Sequence, residues 1–128
     1  MPSAIARGGN PQMWAYTPAS AATAGDVIAV GAAAVVLHRD YDPAVPHEYL
    51  TPQAAFGGGV YICDKDGSSG PVFAVNDPVW WNSSDGATAT NTDAPFGRCL
   101  VAAGASDATV IVEHNPAYCL ALEGGFSS

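Results

Sequence analysis

Gly97-Arg98-Cys99-Leu100-Val101-Ala102-Ala103-Gly104-Ala105-Ser106-Asp107-Ala108-Thr109-Val110-Ile111-Val112-Glu113-His114 reads as two apolar, β-branched strands joined by a turn of small residues. No residue in it is placed to do chemistry. Working outward, the same grammar recurs. Val27-Ile28-Ala29-Val30 and Ala32–His38 are strands, and Val60-Tyr61-Ile62-Cys63 enters a turn at Asp64–Gly70. Pro71–Val75 leads through Asn76-Asp77-Pro78 to Val79-Trp80-Trp81-Asn82, and Ala87–Thr90 follows the turn Ser83–Gly86. Short strands with Gly, Asp and Asn turns at roughly 8–12-residue spacing indicate an all-β barrel or sandwich with little helix. Arg39–Pro52, with Pro43, Pro46 and Pro52, is a loop with a short extended piece at His47–Leu50.

Residues 1–24 stand apart as an extended N-terminal arm, 25–114 form the β-barrel body, and 115–128 are a C-terminal tail. Pro2, Pro11 and Pro18 in the arm exclude a regular helix and central-strand pairing. Met13, Trp14 and Tyr16 form an apolar anchor that docks either on the chain's own barrel or on a neighbour. Trp80 and Trp81 are adjacent in a strand and so point to opposite faces. One fills the core; the other lies in a subunit contact, or is covered by the arm or a loop of the same chain.

The chain has 128 residues, enough for one domain with a thin core, because many of its 48% hydrophobic residues are Ala. Twelve acidic residues against four basic ones give a net charge of −8, which excludes phosphate-based binding of nucleic acid. No run reaches the ~20 apolar residues of a membrane span. The start, Met1–Arg7, lacks the apolar stretch of a signal peptide, so synthesis and assembly in a cytoplasm is expected.

Candidate chemistry is sparse. Cys63, Cys99 and Cys119 show no C-x-x-C spacing. His38-Arg39-Asp40 with His47-Glu48 fits no metal pattern, and Asp64-Lys65-Asp66-Gly67 lacks the sixth-position Gly and twelfth-position Glu of a calcium loop. Gly57-Gly58-Gly59 precedes a strand, where a hinge or bulge suits it better than a phosphate cradle. No G-x-S-x-G occurs. No catalytic residue, metal site or cofactor is assigned.

Four phrases in order carry a resemblance: Ala24–Gly31, Gly59–Lys65, Phe73–Asn82, and Gly97-Arg98 with Asp107–Val112. Together, over residues 24–114, they resemble the capsid cement, or head decoration, family of tailed phages known as DUF2190. Asn76 departs from it, standing where the family phrase often has Gly. The resemblance implies a non-enzymatic protein on the outside of the phage head that bridges neighbouring major capsid proteins against the pressure of packaged DNA. It implies as partners the major capsid protein and the chain itself, a trimer favoured over a dimer, with no nucleic acid and no membrane. The expected interface residues are Met13, Trp14, Tyr16, Trp80 and Trp81. Two rival readings are a virion-surface carbohydrate-binding module stacking sugars on Trp80, Trp81 or Tyr61, and a small hydrolase using Cys99 and His114.

Overall fold

Apolar runs bounded by turn residues become strands, because β-branched side chains fit a pleated, half-buried surface. The computed structural model describes residues 2–9, 11–16, 18, 20–30, 33–42, 53–66 and 70–120, with the backbone alone at 14, 15 and 53. Among these residues, in chain order, are β1 Ala4–Gly9, β2 Met13–Ala15, β3 Val27–Val30, β4 Ala33–Leu37, β5 Gln53–Ala55, β6 Gly59–Asp64, β7 Pro78–Asn82, β8 Gly86–Thr88, β9 Ala94–Val101, β10 Thr109–His114 and the short helix α1 Pro116–Leu120. The extended piece expected at His47–Leu50 lies outside the described residues.

Two antiparallel sheets form, in place of a closed barrel. Six strands run in the order β1-β6-β10-β9-β7-β8, and four in the order β2-β5-β4-β3. The larger sheet coils until β8 returns toward the end of β6, where Lys65 and Ala87 form a parallel bridge and Asp66 N–H donates to Ala87 O at 3.0 Å. Gly86 permits that return: its φ is +96°, and a Cβ there would stand 2.5 Å from Asp64 O. The two sheets are tied by Ala4 N–H to Gly25 O (2.9 Å) and Gly25 N–H to Leu37 O (2.7 Å).

The stretch read as an arm supplies β1, paired with β6, and β2, paired with β5. Both are edge strands. That position follows from the sequence, since Pro and Gly cost least where one side of the strand makes no ladder. Phe73 forms a single bridge to Ala103, so Pro71–Val75 is not a strand.

Between the sheets, large side chains meet small ones. The six-stranded sheet contributes Tyr61, Trp81 and Phe96, and the four-stranded sheet Val27, Ala34, Val36 and Ala55, all buried in one cluster. Alanines on one wall leave room for rings on the other, so the aromatics carry most of the buried apolar area. Phe96 is the hub. Its ring stacks on Trp81 (5.5 Å between centroids), meets Tyr61 edge-on (6.2 Å) and lies tilted against His114 (4.8 Å). β4 is apolar on both faces: Ala34 and Val36 join this core, while Val35 and Leu37 join Ala54 in a second cluster against Tyr16, Ile28, Val30 and Phe56.

Phe96→Ala should therefore destabilise the fold by about 3–5 kcal/mol, the range for deleting a fully buried aromatic ring. Chemical denaturation checks it; a loss under 1 kcal/mol would contradict the hub role.

Candidate interaction surface

Trp80 and Trp81 do leave β7 toward opposite sides, yet both are buried, at 6% and 4% exposure. Trp81 lies in the main core. Of the two readings of the outward ring, cover by the same chain is the one these burials match. The second face of β7 is covered as well: cross-strand neighbours of Trp80, Thr88 and Pro95, are themselves buried, and α1 packs on β9 and β7. Tyr61 is 1% exposed. The three rings proposed as a sugar-stacking platform thus offer no exposed aromatic surface.

Met13 and Trp14 lie on β2 at the sheet edge, opposite Ala55 and Ala54. The Met13 side chain is exposed, at 37%, whereas that of Trp14 lies outside what is described. Tyr16 is half-buried against the second cluster, its ring edge-on to Phe56 at 6.3 Å. These residues share one edge of the four-stranded sheet, remote in the strand order from β7.

Titratable groups cluster inside. His114 is fully buried, with Nε2 2.6 Å from Ala34 O. A carbonyl can only accept, so Nε2 carries the proton and Nδ1 is a bare acceptor, which has no partner among the described residues. Burial pushes His114 below the ordinary histidine range; the bond to Ala34 O opposes this, and nearby His38 adds to it. His38 is likewise lowered by burial, with Nε2 2.6 Å from Tyr61 Oη. Burial pushes the Cys63 and Cys99 thiols up, and the Cys99 thiol donates to Val101 O at 3.2 Å. A raised thiol is the opposite of an activated nucleophile. Lys65, the single lysine, is also buried and donates to Gly104 O. Among the described residues no group of three His, Cys, Asp or Glu converges; His47 and Glu48 lie outside them.

The outer face of the six-stranded sheet carries an apolar row between charged flanks. Ile5 is opposite Ile62, Ile62 opposite Ile111, and Ile111 opposite Val101. The sequence shows it in part: on β6 Val60 and Ile62 are apolar at the outward parity as well as Tyr61 and Cys63 at the inward one, whereas on β10 Ile111 stands between Thr109 and Glu113.

Comparison with known families then decides the identity. The model of the phage cement protein family matches residues 6–114, which takes in both sheets. The chain belongs to that family. No curated protein and no solved structure matches it. The match starts within β1, earlier than the phrases from residue 24, so the edge strands β1 and β2 are part of the cement-protein unit. A cement protein is a structural component of the phage capsid, and association with the capsid follows from membership.

The departure at Asn76 has a structural reason. Ala74–Asp77 is a tight turn, with Asp77 N–H donating to Ala74 O (3.0 Å) and Asp77 Oδ2 accepting from Ala74 N–H (2.9 Å). Asn76 holds its third position at φ +74°, left-handed backbone that Gly adopts freely and Asn best of the others. Its N–H donates to Cys99 O (2.8 Å), its Oδ1 accepts from Arg98 Nη1 (2.6 Å), and its carbonyl accepts from the Tyr118 hydroxyl (2.5 Å). Arg98 in turn pairs with Glu113 at 3.3 Å. One turn thus ties β9, β10 and α1 together.

Asn76→Gly should change stability by less than about 0.5 kcal/mol, while Asn76→Val should cost about 1–2 kcal/mol, the penalty for a side chain forced left-handed; thermal unfolding of the two variants separates them. Acidification should also weaken the fold. The unfolded chain takes up a proton on His114 near the ordinary value of 6.5, the folded chain only at lower pH. Stability is then fully present above pH 6.5 and falls as pH drops through that value toward the folded one. Urea midpoints at pH 8 and pH 5.5 measure this, and His114→Gln should shrink the difference, leaving the share that the likewise lowered His38 contributes.

Proposed function

We propose that this cement protein is non-enzymatic and adds to the outside of the icosahedral head after synthesis in the host cytoplasm. There it bridges neighbouring major capsid proteins and holds the shell against the pressure of packaged DNA. The observation that carries the reading is the family match across both sheets. The interior supports it: His114, Cys63 and Cys99 are packed in the core, where burial disfavours their charged forms.

A bridging protein gains from engaging two coat chains at once, since the second contact is made at high effective concentration. Many small contacts then suffice, and short, uncharged side chains order at little entropic cost. The β2 edge, with Met13 and Trp14 beside the half-covered Tyr16, is the contact we assign to the coat, through strand addition at an open edge. Shape and chemistry at β7 assign nothing comparable to Trp80 and Trp81.

Purified shells stripped of this protein should bind the full chain in co-sedimentation and then rupture at a higher temperature. Met13→Ser combined with Trp14→Ser should weaken binding at least tenfold. Shells that neither bind the chain nor gain resistance would overturn the reading; undiminished binding by the double variant would remove β2 from it.

A further inference from the structure

Directly opposed residues of an antiparallel pair point to the same side of the sheet, with Cβ atoms about 5 Å apart. The registers of β1, β6, β10 and β9 therefore set Ile5, Ile62, Ile111 and Val101 in one straight row. Tyr61, Cys63, Val110 and Val112, the strand neighbours of Ile62 and Ile111, are buried, so the row stands on the opposite, outer face. Ile5 is 62% and Val101 53% exposed. Val72 and Val75 are exposed on the segment bridged to Ala103, next to β9. All six are β-branched, so they lose little rotamer freedom on being covered. An apolar surface of several hundred Å² is the scale that marks a contact site.

The two flanks of the row differ in charge. Along the strands to one side lie Asp64 and Thr109, paired with each other, and then Asp107 in the turn before β10. To the other side lie Arg7, exposed on β1, and Arg98, offset by its pair with Glu113. Arg7 makes no ion pair among the described residues.

We propose that this row is a two-fold interface between two copies of the chain. A copy turned by 180° about the line of the row lays isoleucine on isoleucine. The same rotation carries the flank of Arg7 and Arg98 over the partner copy's flank of Asp64 and Asp107. A two-fold axis along the strands would instead set like flank against like, so the charges select the first arrangement. Sheets meeting this way pack aligned, about 10 Å apart, as in a sandwich. A stable dimer covers about 800 Å² on each partner, with an apolar centre and a polar rim. The row supplies the centre and the two flanks the rim. The contact is isologous and closes on itself, so it gives a pair and not the three-fold cluster expected from the sequence. It stands apart from capsid binding through β2 and is testable on the free protein.

Sedimentation velocity of the full chain at ~100 µM should show a dimer. Ile5→Lys combined with Val101→Lys, both at exposed positions, should weaken self-association at least tenfold with an unchanged circular-dichroism spectrum. Ile5→Ser with Val101→Ser should act in the same direction, more weakly. A monomer or a trimer from the unsubstituted chain would overturn the proposal, as would a dimer that the lysine pair leaves intact. A monomer whose retention on purified shells is abolished by the same lysine pair would assign the row to the coat instead.

Discussion

The ring of Phe96 gathers Trp81, Tyr61 and His114 on the inner face of the six-stranded sheet, and β4 of the other sheet packs against its strand. An alanine-rich chain has little apolar area to bury per residue, so a few rings must supply it. Ala34 and Ala55 across the interface are the necessary complement: larger side chains there would push the sheets apart. The same closeness brings the Ala34 carbonyl within 2.6 Å of His114 Nε2, a hydrogen bond between the sheets at the centre of the core. Packing, the inter-sheet bond and the lowered basicity of His114 thus share one cause.

From this arrangement follows the division between interior and surface. Cys63, Cys99 and His114 are packed in the interior, where burial raises the two thiols and lowers the histidine, while His38 is half-buried. The surface keeps an edge at β2 and an apolar row across β1, β6, β10 and β9. A cement protein has use for both kinds of feature, an open edge and an uncharged face, since each offers contact without a large desolvation cost for charged groups.

Much of this was legible in the residues. β3, β4, β6, β7, β9 and β10 are runs of Val, Ile, Leu, Tyr or Trp closed by Gly, Asp or Asn, and that grammar needs no tertiary help. β1 and β2 were not legible: in β1 a single Ile stands among Ala, Arg and Gly, and β2 is three residues long between prolines, so the pairing partner makes them strands. β5, three residues long directly after Pro52, left no pattern to read. Nor could alternation reveal the burial of both tryptophans: it says that Trp80 and Trp81 diverge, not that a second layer covers the far side. α1, which packs on β9 and β7, was likewise hidden, being five residues long and too short for helical periodicity. At Asn76 the sequence showed a substitution and the backbone supplied its reason, a φ of +74°. The outer row needed registers, which join strands far apart in the chain.

The account stands or falls on where the protein sits in the virion. Cryo-electron microscopy of the intact particle at side-chain resolution addresses that directly. The expected map shows the two-sheet fold on the outer surface, lying across the seam between adjacent coat subunits. A shell with no density for this chain, or with the chain seated wholly on one coat subunit or on the inner surface, would contradict it.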